Sequence, residues 1–137
     1  MAGILCQRIV FLFKSDGGIA VSMDLSFWKY KENVYLDNQE VNEILSSGDY
    51  VEGLETLPIQ QISKDIEAAF KDWKKESECD YQGEHGAFQI FTTKQFVRFD
   101  CYGMYQDDLN KLIDVLLKYE CPLYDPQISE RFDGHTT

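Results

Sequence analysis

Ile19, Val21, Met23, Leu25 and Phe27 alternate with Ala20, Ser22, Asp24 and Ser26, which are small or polar. A period of two sends the two sets to opposite faces of a β-strand. Five apolar side chains on one face require a sheet with one side packed on a core. The preceding run Arg8-Ile9-Val10-Phe11-Leu12-Phe13-Lys14 is β-branched and aromatic between two charges, which also reads as a strand. Ser15-Asp16-Gly17-Gly18 joins the two, and a glycine pair reaches positive φ at little cost. Residues 4–28 are therefore expected to form a β-hairpin.

The period then changes. Asp37 has Glu40 three residues later and caps a helix that carries Val41, Ile44 and Leu45 on an apolar stripe, with Gly48 at its end. Residues 49–58 connect it to a second helix, and Pro58 suits that helix's first turn. Ile59, Ile62, Ile66, Ala69, Phe70 and Trp73 form one continuous stripe, which predicts a helix over 59–76. Residues 76–86 are polar and read as a loop. Ala87–Thr93 and Gln95–Tyr102 read as a second hairpin closed near Thr92-Thr93-Lys94-Gln95. Asp107 and Asp108 open a third helix, where acids suit the N-terminal dipole, and Leu109, Leu112, Ile113, Leu116 and Leu117 form its stripe.

Paired hairpins with grouped helices indicate an α+β fold. The expectation is two antiparallel β-hairpins forming a roughly four-stranded sheet, covered on one face by three helices. Residues 1–137 read as a single domain. Residues 122–137, with Pro122 and Pro126, read as a surface strap pinned by Leu123, Tyr124 and Phe132 and frayed after Asp133.

Charge narrows the functional classes. The chain has 24 acidic residues against 13 Lys plus Arg, a net charge of −11. Hydrophobic residues at 44% and aromatics at 14% still argue for a packed core. Phosphate binding needs a basic surface, so nucleic acid and anionic membranes are disfavoured as partners. The four cysteines, Cys6, Cys79, Cys101 and Cys121, have irregular gaps and no Cys-x-x-Cys pair, as expected of reduced thiols in a cytoplasmic protein. The apolar run after Arg8 stops at Lys14, too short for a signal segment or a membrane span.

The acids are unevenly placed. Glu32, Asp37, Glu40, Glu43, Asp49, Glu52 and Glu55 fall in a stretch with no Lys or Arg between Lys31 and Lys64. Tyr50, Val51 and Leu54 lie among them. Interfaces combine aliphatic or aromatic anchors with a charged rim, and such a field speeds association with a basic protein. The candidate partner-binding residues are accordingly Asp37, Glu40, Glu43, Asp49, Tyr50, Glu52, Leu54 and Glu55. The plain alternative is a solvated face that keeps the protein soluble.

Small size, strong acidity, a compact α+β pattern and no catalytic motif together resemble bacterial immunity proteins, which act against contact-dependent growth-inhibition or other polymorphic toxins. The acids from Glu32 to Glu55, with Trp28, Tyr50 and Trp73, carry that likeness. The resemblance implies a protein that binds a basic toxin domain, often a nuclease, and blocks its active site. It implies no catalytic residue, no cofactor, and a monomer or weak homodimer in the free state.

Two other readings compete. Cys101, beside Asp100, with His85 could serve a small thiol-dependent hydrolase, because a nucleophilic cysteine needs a base. Its alternation with Val97 and Phe99 fits a core cysteine better. The second is a non-catalytic adaptor or oligomeric subunit that uses the sheet face bearing Phe96, Arg98, Asp100 and Tyr102, on which Arg98 and Asp100 pair. Metal binding has no support from spacing: His85 and His135 are the only histidines.

Overall fold

The computed structural model describes residues 21–128 and 130–132. The strand expected at 8–14 and its turn lie outside the described residues, as does the tail after Phe132. Within them the class is α+β, and the sheet is larger than expected, with seven antiparallel strands.

The first strand, β1 (Val21–Phe27), follows the alternating run. Helix α1 is Asn38–Ser46 and helix α2 is Ile59–Ala69. Four strands follow: β2 (Lys74–Lys75), β3 (Asp80–Gln82), β4 (Ala87–Thr93) and β5 (Phe96–Met104). Helix α3 (Gln106–Leu117) and strands β6 (Leu123–Asp125) and β7 (Glu130–Phe132) complete the chain. The strand order is β2-β3-β4-β5-β1-β6-β7.

The alternation places the core as anticipated. Met23, Leu25 and Phe27 are buried on one face, with Phe88, Val97 and Phe99 from the neighbouring strands. Register sets this: Leu25 lies opposite Phe99 and Phe27 opposite Val97. Ile62, Ile66 and Phe70 from the α2 side and Leu109, Leu112 and Leu116 from α3 close that face. Edge-to-face rings, Phe27 on Phe99 at 5.8 Å and Phe70 on Phe88 at 4.9 Å, interlock sheet and helix layer.

Four further expectations need correction. The second helix ends at Ala69, short of residue 76. Its stripe continues because Phe70 and Trp73 pack on the same core from a turn, with the Trp73 N–H donating to the Phe70 carbonyl at 3.0 Å. Gly83 is required there: a Cβ on it would lie 2.5 Å from the Trp73 indole. The expected loop at 76–86 contains β3, whose Tyr81 stacks on Phe88 at 4.8 Å.

The strap at 122–137 is instead, over its described part, a third hairpin. β6 pairs with β1 and β7 pairs with β6, and Leu123, Tyr124 and Phe132 are buried as strand residues. Prolines at 122 and 126 flank β6 without interrupting it, as the donor-poor residue requires.

Finally, the helices do not share one face. Val41 and Leu45 of α1 join Trp28, Val51, Leu54, Phe96 and Tyr124 in a second cluster on the opposite side. The sheet is thus covered by α2 and α3 on one face and partly by α1 and the 49–57 connection on the other.

Candidate partner-binding surface

Helix α1 starts as the capping pattern predicts. The Asp37 carboxylate accepts from the Glu40 N–H at 2.9 Å, satisfying one of the open donors of the first turn. The Tyr124 hydroxyl donates to Gln39 Oε1 at 2.6 Å and ties the helix to β6. Val41 and Leu45 point into the second cluster. Ile44, expected in the stripe, is exposed, and Asn42 is buried in its stead. The two residues flank the Val41–Leu45 line on opposite sides, and the helix packs with the Asn42 side inward.

The connection after α1 is held by a residue the sequence reading passed over. Gln95, at the β4–β5 turn, is 2% exposed. Its Oε1 accepts from the Val51 N–H at 3.0 Å and its Nε2 donates to the Val51 carbonyl at 2.7 Å. One side-chain amide thus acts as a strand partner for one residue. Val51 and Leu54 then seat beside Trp28 and Phe96. Beyond the ordinary turn role, a Gln carries no sequence signal for such a bridge.

This packing sorts the eight candidate residues. Asp37, Glu40, Glu43, Asp49, Tyr50 and Glu52 are exposed, and Glu55 is half-buried. Leu54 is not a surface anchor: it is 1% exposed and belongs to the core under α1. Tyr30 pairs with Leu54 in an isolated β-bridge, which draws that segment inward. Tyr50 is on the surface, 66% exposed.

The structure adds exposed apolar groups that sequence reasoning missed. Tyr35 is 87% exposed, Leu36 44% and Ile44 37%. With Tyr50, these are four of the six large exposed hydrophobics among the described residues, all between residues 35 and 50. Six ion pairs occur among the described residues, and none involves an acid from Glu32 to Glu55. The uncompensated charge and the exposed apolar groups therefore fall on one stretch of chain. The later acids, Glu76 to Glu84, sit around β2 and β3 at the far edge of the sheet.

The open part of the same sheet face carries the expected Arg98–Asp100 pair, bidentate at 2.8 and 3.1 Å, with the guanidinium 4.9 Å over the Phe91 ring. Asp24 lies directly across from Asp100, and partial burial with that neighbouring charge raises its carboxyl above the usual range. Phe96, which shares this face, is covered by the α1 layer.

Cys101 is 1% exposed in the main core. Burial first, then Asp24 and Asp100, push its thiol far up. A thiol so placed stays protonated at neutral pH, the opposite of what a nucleophile needs. His85 is exposed, and its ring lies tilted against Tyr105 at 5.0 Å. Among the described residues no group of three or more His, Cys, Asp or Glu is placed to hold a metal ion, and no helix is long and apolar enough to cross a membrane.

No protein-family model matches the chain, and no curated protein matches it.

Proposed function

We propose that this is an acidic cytoplasmic protein that binds and neutralises a basic protein partner, as an immunity protein does with its toxin. The observation that carries the reading is the coincidence just described. Carboxylates at Asp37, Glu40, Glu43, Asp49 and Glu52, none of them in an ion pair among the described residues, share one stretch of chain with exposed Tyr35, Leu36, Ile44 and Tyr50. A solvated face that served solubility alone would not need four large apolar groups in water.

The mechanism follows from charge and shape. A nuclease toxin requires a positive groove for its phosphate substrate. An acidic face laid into that groove excludes the substrate without any chemistry. The apolar anchors set the dissociation rate, and the charge sets the association rate and the choice of partner.

The test is charge reversal at Glu40, Glu43 and Glu52 together, measured by surface plasmon resonance against the basic protein that a pull-down with this chain recovers from its native host. The association rate of the parent protein should fall steeply as salt rises. The triple variant should associate at least roughly tenfold more slowly. Equal association rates for the two proteins would refute the assignment of this face.

A further inference from the structure

β1 ends at Phe27 and α2 begins at Ile59, and the chain between them closes on itself before it reaches α2. The Glu55 N–H donates to the Lys29 carbonyl at 2.7 Å, and the Lys31 N–H donates to the Gly53 carbonyl at 2.9 Å. Tyr30 and Leu54 form the bridge between those two bonds. Beyond this base the Leu57 N–H donates to the Lys94 carbonyl at 2.8 Å and fastens the returning chain to the sheet. Gly53 sits at φ 99°, and a Cβ on it would meet Val34 Cγ1 at 3.0 Å. Residues 32–52 are therefore a loop with a closed neck, and the loop carries α1.

Inside the loop the backbone bonds to its own neighbours. Val34 donates to the Lys31 carbonyl, Val41 to Asp37, Ser47 to Glu43 and Asp49 to Ile44. Among the described residues, no backbone–backbone hydrogen bond joins residues 32–52 to a strand of the sheet or to another helix.

Side chains alone seat the loop. Val41, Leu45 and Val51 pack on Trp28, Phe96 and Tyr124, in a cluster of seven buried residues where the main core has twenty. Two side chains of the sheet reach it with hydrogen bonds, Gln95 to the Val51 backbone and the Tyr124 hydroxyl to Gln39 Oε1. Two polar atoms of the layer, Trp28 Nε1 and Asn42 Oδ1, are buried with no protein partner among the described residues. Burying such groups works against closure. Charge adds no clasp: Glu32, Asp37, Glu40, Glu43, Asp49 and Glu52 lie in the loop without a Lys or Arg, and none is in an ion pair among the described residues. Toward β7 the loop faces an open groove, lined by Val34 and Leu36 on its own side and by Glu130 and Phe132 from the strand.

We infer that residues 32–52 swing off the sheet as one unit, hinged on the 29–31/53–55 base, while the main core stays folded. Proteins open in cooperative pieces, and a piece with its own backbone bonding and few buried apolar contacts opens at the lowest cost. Opening uncovers Trp28, Phe96 and Tyr124 and moves the exposed carboxylates and apolar groups of the loop together. The inference holds whatever those groups bind.

The experiment is hydrogen exchange followed by NMR on the full chain, in increasing urea below the unfolding transition. After correction for intrinsic rates, the Leu45 and Val51 amides should exchange at least roughly tenfold faster than Val97 and Phe99 of β5. Leu45 and Val51 should share one opening constant, with a shallower urea dependence than Phe99, because the opening exposes only part of the buried surface. Ile113→Val in the main core separates the two events. It should speed Phe99 exchange roughly fivefold, and it should leave Leu45 and Val51 unchanged, because the core is intact on both sides of the loop opening. Acceleration of all four amides by the same factor would overturn the inference, as would one urea dependence shared by all four. Fast exchange at Leu45 with Val51 as slow as Phe99 would reduce the event to fraying of α1 and overturn the single unit.

Discussion

Replacing Gln95 tests the claim that one side chain anchors the layer that carries the proposed binding surface. The amide makes two hydrogen bonds to the backbone of Val51, at 3.0 and 2.7 Å, and Val51 is itself 8% exposed. In Gln95→Met the volume is nearly kept, so the loss is confined to the Val51 N–H and carbonyl left without partners. Each buried unsatisfied group costs about 1–3 kcal/mol. The two together give roughly 3 kcal/mol, reduced to the extent that water reaches them. Gln95→Ala adds a cavity next to Phe96 and should cost about 1 kcal/mol more. For a domain of this size, roughly 3 kcal/mol lowers Tm by about 10 °C. Urea denaturation read by Trp fluorescence measures the change, because Trp28 is fully buried in the cluster that Val51 helps close. Hydrogen exchange at the Val51 amide supplies the local readout and should accelerate more than at Phe99. A loss below about 0.5 kcal/mol in Gln95→Met, with Val51 exchange unchanged, would refute the anchoring role.

Other expectations follow from single groups. Asp65 on α2 accepts from the Tyr119 hydroxyl, from Lys118 Nζ at 3.0 Å and from Gln61 Nε2 at 3.2 Å, clamping α2 to the end of α3. These donors, the Tyr119 hydroxyl first, hold its carboxyl below the ordinary value. A depressed carboxyl contributes stability above the unfolded pKa of about 4, and that stability is lost as pH falls through it toward the folded value. Asp65→Asn should therefore be less stable than the parent at pH 7 and converge with it in acid, in melts taken across that range; a constant gap would contradict the clamp. For the thiols, iodoacetamide at neutral pH should label exposed Cys79 and spare Cys101 and Cys121 among the described cysteines. Burial pushes the Cys121 thiol up to about 12 and Cys101 further. Peptide mass mapping that finds Cys101 labelled as fast as Cys79 would reopen the thiol chemistry.

Local pattern carried much of this protein. The alternation at Met23, Leu25 and Phe27 determined which face of β1 is buried, because the period of a strand is fixed by its backbone. The Asp37 cap and the leucine stripe of α3 were legible for the same reason: each is set by neighbours within one helical turn. The uneven acid distribution was also written in the chain, and with it Asp37, Glu40, Glu43, Asp49, Tyr50 and Glu52 as surface groups.

Tertiary packing decided what local pattern leaves open. Phe70 and Trp73 look like helix positions, because any residue that packs on the same core extends the stripe whether or not the helix continues. Leu54 and Ile44 exchanged places as core and surface. Gln95, more than forty residues away, bonds to the Val51 backbone and seats it with its neighbour Leu54 in the core, and α1 packs with Asn42 inward and Ile44 out. The β6–β7 hairpin was hidden because three-residue strands have no period to read, and they exist only because the end of β1 offers them an edge. The acidic character of the proposed binding face thus belongs to the sequence. Which apolar groups that face exposes is decided only by contacts between segments far apart in the chain.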